Sequence, residues 1–125
     1  MRVRDATPDE RPAVLNVLDG AMLSTDSVGE HIAAGDVLVA VSADGERVLG
    51  ALVLDGDHVE AVAVRRRRRG QGIGTALVEA ATDRRQRLTA EFDTDVRPFY
   101  ETLGFDIGPG DEPGRLCGTR RSADR

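Results

Sequence analysis

The 125 residues predict a single α/β domain built on a mostly antiparallel sheet. Three observations carry that expectation. Apolar runs of strand length are interleaved with segments of helical period. Two turns, Ala43-Asp44-Gly45-Glu46 and Asp55-Gly56-Asp57, join the central runs as hairpins. Finally, the stretch from Val62 to Val78 passes from an apolar strand through a cationic, glycine-dense turn into an amphipathic helix. The length allows one core and no second domain, so residues 1–119 are expected to fold as a unit. Residues 120–125 form a polar tail with little to order them.

Each element has its own local reason. Arg2 to Asp5 reads as a short strand. Thr7 is a good N-cap, with Pro8 at the first helical position and Glu10 completing a capping box. The helix that follows puts Val14, Leu15 and Leu18 on one side and stops at Gly20. Ser27 to Ala34 predicts a second short helix closed by Gly35. Val37 to Val41 is a dense β-branched run, Arg47 to Leu54 its hairpin partner, and His58 to Val64 the third strand of a meander. Ile73 to about Arg87 predicts a helix with Ile73, Leu77, Ala80 and Ala81 inward. Leu88 to Phe92 follows as a fifth strand. Val96 to Leu103 predicts a short helix with Pro98 in its first turn and Gly104 at its end. Phe105 to Ile107 and Arg115 to Thr119 complete the strands around a glycine- and proline-rich loop.

Composition narrows the partners. No window approaches the roughly 18 to 20 apolar residues of a membrane span, and the N-terminus lacks the layout of a signal peptide. A soluble, cytoplasmic chain without membrane partners is the expectation. The single cysteine, Cys117, excludes an internal disulfide and reads as a small buried hydrophobe in a late strand. Two histidines and one cysteine offer no metal-ligand spacing, so no metal is expected. Net charge is −5, every basic residue apart from the histidines is arginine, and aspartate outnumbers glutamate. Such a balance suits a salt-adapted or GC-rich organism and argues against a general nucleic-acid binder. The run Arg65 to Arg69 can be read as a solvated turn, a nucleic-acid patch or part of an anion site. Its place between a strand and a glycine loop, rather than on a tail, favours the last.

Gly70, Gly72 and Gly74 leave the backbone of that loop bare. Amides there and in the first turn of the next helix lack partners, and the helix dipole adds positive potential, so a phosphate is expected to sit against them. The dinucleotide fingerprint is excluded, because its third glycine falls on Thr75. A P-loop is excluded too, because the chain has no lysine. The order Arg69-x-x-Gly72-x-Gly74, after Val62-Ala63-Val64, resembles the coenzyme-A pyrophosphate loop of the GNAT N-acetyltransferase family. A second segment, Phe99-Tyr100-Glu101-Thr102-Leu103-Gly104-Phe105, resembles that family's C-terminal signature. Together they make the resemblance specific over residues 58–106, and Val3 to Asp9 resembles the usual opening strand and turn.

The resemblance implies a GNAT-like mixed, mostly antiparallel central sheet of about six or seven strands with helices on both faces. Strands 4 and 5 would splay to hold acetyl-CoA as co-substrate. The backbone of Val62, Ala63 and Val64 would hold the pantetheine, and Arg69, Gly70, Gln71, Gly72, Ile73, Gly74 and Thr75 the pyrophosphate. Tyr100 matches the family's general acid toward the departing sulfur; the plainer reading is a core tyrosine with its hydroxyl at the rim, and Phe99 beside it reads as core. Strict alternation puts His58, Glu60, Val62 and Val64 on one face. Either Glu60 or His58 could therefore take the proton of the amine, unless each is only a sheet-face residue paired to an arginine. Relatives often carry asparagine where this chain has Asp93, which leaves that cofactor contact in doubt. With Glu91 and Asp95 it makes an acidic strand end, suited to a cationic amine or simply to a salty cytoplasm. The expected activity is direct acetyl transfer to a primary amine, on a small molecule or peptide. The alternative is a non-catalytic, acyl-CoA-binding or regulatory module. The family often dimerises, so a homodimer is compatible. The chain is short for the family, and the saving falls before Val37.

Overall fold

The computed structural model describes residues 1–18, 25–45 and 47–121. Its strands are β1 (Arg2–Asp5), β2 (Val37–Val41), β3 (Val48–Asp55), β4 (His58–Val64), β5 (Arg87–Asp93), β6 (Asp106–Pro109) and β7 (Arg115–Arg121). Its helices are α1 (Arg11–Val17), α2 (Thr25–Ala33), α3 (Ile73–Arg84) and α4 (Arg97–Thr102). The strands form one sheet in the order β1-β2-β3-β4-β5-β7-β6, antiparallel throughout except for β4 against β5. This is the mixed, mostly antiparallel sheet expected. None of the helices among the described residues is long and apolar enough to cross a membrane.

Because side chains alternate across a strand, β2 feeds two cores at once. Leu38 and Ala40 join the α3 and α4 side, with Leu52, Leu77, Val78, Leu88 and Tyr100. Val37, Val39 and Val41 join the α1 and α2 side, with Val14, Val28, Ile32, Ala51 and Val53. Val14 and Leu18 are buried as expected, and Leu15 is partly so. Helix α3 presses close to β3 at Gly50. A Cβ there would stand 3.0 Å from the Ala63 carbonyl oxygen, 3.1 Å from Ile73 and 3.2 Å from Leu77. A side chain at Gly50 would push α3, and with it the glycine loop, off the sheet.

Several boundaries differ from expectation. The first helix opens as a 3₁₀ turn over Pro8–Glu10; Gly20, its expected stop, lies outside the described residues, as do Glu46 and residues 122–125. Helix α3 ends at Arg84 rather than Arg87. The Arg85 backbone turns extended, and its guanidinium donates to the Gly56 carbonyl at 2.9 Å and to Asp36 at 2.8 Å. Arg87 then already pairs with Arg121 in the sheet, so β7 runs two residues past Thr119 and takes Arg120 and Arg121 out of the tail. Cys117 is half-buried in β7 rather than fully buried.

The capping box carries a stability prediction. Arg4 donates to both carboxylate oxygens of Glu10 at 2.8 Å, and the Thr7 amide donates to the same group at 2.9 Å. With the Arg4 hydrogen bond as the main cause, the Glu10 pKa falls from 4.5 to about 2. A depressed carboxylate stabilises the fold above its unfolded pKa and stops doing so as pH falls through the folded one. Glu10→Gln is therefore expected to cost about 1–2 kcal/mol at pH 7. In urea melts the gap between the two proteins should narrow from pH 4.5 downward and close near pH 2. A gap that persists at pH 2 would mean that the carboxylate contributes through packing and not charge.

Candidate active site

Pairing between β4 and β5 stops almost as soon as it starts. Only His58↔Thr89 and Val59↔Ala90 are in register; beyond them the strands part. The opened wedge is a cavity of about 440 Å³ lined by Glu60, Val62, Phe92, Asp93, Phe99, Tyr100 and Arg115, among others. That volume is ordinary for a small-ligand site. On the wedge side β4 has spare hydrogen bonds. The Arg65 amide donates to the Leu49 carbonyl at 2.9 Å. By antiparallel alternation Ala63 and Ala61 then bond to β3, while the N–H and C=O groups of Val62 and Val64 face the wedge. The Ala63 side chain packs on the far, α1 face.

The expected alternation along β4 does not hold. Val53 pairs with Ala61 but Leu54 pairs with Val59, so Glu60 is an extra residue, a β-bulge. The bulge shifts the phase of the strand by one. Val59 therefore joins Val62 and Val64 on the α3 side, and His58, Glu60, Val62 and Val64 do not share one regular face. Glu60 is exposed, lines the wedge, and forms no ion pair among the described residues. His58 is set apart. It sits at the closed end of the wedge with Nδ1 2.9 Å from the Thr89 hydroxyl, and does not line the cavity.

Tyr100 is held by rings on three sides. It stacks on Phe92 with centroids 4.0 Å apart and meets Phe99 and Phe105 edge-on at 5.0 and 5.1 Å. The chain turns to make this possible. Gly104, at φ +82°, donates to the Glu101 carbonyl at 3.0 Å, and the Phe105 amide to the Tyr100 carbonyl at 3.1 Å. That paired closure of α4 requires the left-handed glycine and brings Phe105 back against Tyr100. The Phe-Tyr-x-x-x-Gly-Phe spacing is thus the geometry of one helix end. Tyr100 is only 4% exposed, and burial pushes its pKa above the usual tyrosine value.

The glycine loop lies at the other end of the wedge. Gly70 and Gly72 have φ of +80° and +81°, and Gly72 is the residue from which α3 starts. The first helical bond runs from the Ala76 amide to the Gly72 carbonyl at 3.0 Å, leaving the N–H groups of Ile73, Gly74 and Thr75 without helical acceptors. These residues form a cleft with Val64, Arg68, Arg69, Gly70, Gly72 and Phe99. At Gly74 a Cβ would stand 3.4 Å from the Phe99 ring. Gln71 falls outside this cleft, facing Met1, Ser42 and Leu49 instead. Arg69 donates from Nε to the Val64 carbonyl at 3.3 Å.

Two lining residues escaped the sequence. Phe99 is half-buried and lines both the wedge and the glycine cleft, so it joins them and is not closed core. Only its place one residue before Tyr100, about 100° round the helix, hints at a different surrounding. Arg115, at the start of β7, reaches Asp93 at 2.9 Å and Glu91 at 3.7 Å. The acidic strand end is therefore partly neutralised, and Asp93 is committed to an arginine. Among the described residues no three His, Cys, Asp or Glu side chains converge as a metal site.

Comparison with known proteins agrees with this geometry. The model of the acetyltransferase (GNAT) domain matches residues 6–112. The peptidyl-lysine N-acetyltransferase YjaB of Salmonella typhimurium is 34% identical over 83 residues. That match takes in 64% of this chain and 57% of the relative, so less than two thirds of its length is represented. A Mycobacterium tuberculosis protein, Rv2747, solved in complex with CoA, superposes with a TM-score of 0.69 at 27% identity, over 88% of this chain and 74% of that one. A GNAT-family acetyltransferase of Listeria monocytogenes reaches 0.76 over 96% and 94% of the two chains, at 12% identity, a likeness of fold alone. With a splayed β4–β5 wedge, a bare glycine loop at the start of α3 and a family model spanning most of its length, the chain belongs to the GNAT acetyltransferase family.

Proposed function

We propose that this chain moves the acetyl group of acetyl-CoA directly to a primary amine. The observation that carries the reading is the wedge itself, which presents Glu60, the β4 edge and Tyr100 to one cavity and connects past Phe99 to the glycine loop. The protein's own groups fit the cofactor. Bare amides at Ile73 to Thr75 and the dipole of α3 suit a diphosphate, and the wedge-facing N–H groups of Val62 and Val64, with the Val62 C=O, suit an extended amide-bearing arm. The CoA-bound relative supports the same assignment. Acetyl-CoA supplies an acetyl group activated as a thioester.

Glu60, rather than His58, accepts the proton of the incoming ammonium, since His58 lies outside the cavity. A β4 amide facing the wedge polarises the thioester carbonyl. Tyr100 donates its hydroxyl proton to the departing sulfur, and its burial keeps that proton in place at neutral pH. A lysine-bearing peptide is the first acceptor to try, because the Salmonella relative is a peptidyl-lysine N-acetyltransferase. The reaction runs in the cytoplasm on this reading. Mass spectrometry of a lysine peptide and free-thiol release from acetyl-CoA would be followed together. Glu60→Gln is expected to lower turnover about 10- to 100-fold, with the loss least at high pH where the amine is already neutral. Acetyl-CoA binding without thiol release across a panel of amines would instead leave a non-catalytic binding module.

A further inference from the structure

We propose that the arginine turn after β4 forms a second anion site, separate from the glycine cleft, that takes a compact polyphosphate. Arg47, Leu49 and the four consecutive residues Arg65 to Arg68 line a cavity of about 440 Å³. Among the described residues no carboxylate lines it. One of its guanidinium groups is fixed by the fold: Arg65 donates from Nε to the Val48 carbonyl at 2.6 Å and from Nη1 to Asn16 at 3.1 Å. Asn16 belongs to α1, so the Arg65 guanidinium is anchored against that helix. The glycine cleft is walled by Val64 and Phe99, which pack on the α3 and α4 side. Arg68 stands between the two and lines both.

Several arginines form no carboxylate ion pair among the described residues, Arg2, Arg11, Arg47 and Arg121 included; what sets this turn apart is that Arg65 to Arg69 are consecutive. Arg4, Arg84, Arg85, Arg87, Arg97 and Arg115 each meet a carboxylate. Among the described residues Arg66, Arg67 and Arg68 meet none, although the chain as a whole is acidic at −5. Like charges crowded into one 3₁₀ turn repel, and an anion between them removes that repulsion. Guanidinium forks match phosphate oxygens two at a time, and several forks around one cavity suit several linked phosphates. Among the described residues no aromatic side chain lines the cavity, so there is no platform for a base. Away from the cavity the acidic surface repels a long polyanion, which favours a compact ligand over a nucleic acid. Inorganic tripolyphosphate and the phosphate tail of a nucleotide share this chemistry.

The test is calorimetric titration with tripolyphosphate, ATP and AMP at fixed ionic strength, with and without saturating acetyl-CoA. One equivalent of tripolyphosphate is expected to bind in both conditions, and AMP at least about tenfold more weakly. ATP tighter than tripolyphosphate marks a nucleotide as the source, and equal affinity marks the inorganic chain; either upholds the site. The double variant Arg47→Gln/Arg67→Gln should lose about tenfold or more. Arg121→Gln, the same kind of charge change on β7, should leave affinity unchanged. Equal losses in both variants would reduce the effect to a diffuse field. Abolition by acetyl-CoA would assign the arginines to the cofactor's own phosphates. Affinity that climbs with the length of a single-stranded oligonucleotide past that of tripolyphosphate would reassign the surface to nucleic acid. Any of these three overturns the proposal.

Discussion

Tyr100→Phe is expected to lower kcat about 100-fold while leaving the affinity for acetyl-CoA within about threefold. The change removes one oxygen and nothing else. The ring keeps its stack on Phe92 and its edge contacts with Phe99 and Phe105, so the fold around α4 has no reason to move. What disappears is a proton donor in a cavity that also holds Glu60. A thiolate leaving without a proton is a costly product, and that cost appears in the chemical step and not in binding. Burial raises the Tyr100 pKa above the usual tyrosine value, so an alkaline loss of rate due to this acid is expected later than for a solvated tyrosine. Steady-state kinetics with the best acceptor, and calorimetry for acetyl-CoA, read the two halves separately. An unchanged kcat would return Tyr100 to the role of a core ring.

The second large effect belongs to Gly72. Its φ of +81° is open to asparagine and aspartate at moderate cost, and a Cβ there would meet nothing within 4 Å. Gly72→Asn and Gly72→Asp therefore share whatever backbone strain there is. They differ by one negative charge at the start of α3, against the amides proposed to hold the diphosphate. Gly72→Asp is expected to bind acetyl-CoA about 100-fold more weakly than Gly72→Asn, given the several kcal/mol that like charges cost at contact distance in a partly screened site. Matched thermal melts would show that both variants fold. Equal affinities would place the diphosphate away from this helix start.

Much of this site was legible because its parts are local. Left-handed glycines at 70, 72 and 104 follow from what the backbone must do there, and the loop and the Tyr100 segment could be read through their resemblance to the GNAT motifs. Glu60 was named for its position on an alternating strand, yet it serves the wedge through a bulge. No glycine or proline marks that bulge, because an extra residue in β4 is defined only by what it fails to pair with in β3. His58 fell on the wrong side of the same distinction. It is close in sequence to Glu60, but lies where β4 and β5 still bond. Arg115 was invisible as a partner of Asp93, since only the insertion of β7 between β5 and β6 brings them side by side.

By itself the sequence determined the order of elements, the bare loop at the start of α3 and the glycine-closed end of the Tyr100 helix. Each rests on torsional preference, side-chain period or hydrogen bonding within a few residues. Only the tertiary structure decided where β4 and β5 part, which side chains look into the gap and which carboxylates are already paired. Those outcomes depend on hydrogen bonds and packing between segments about 30 residues apart, and a shift of one residue in a strand moves every side chain beyond it to the other face.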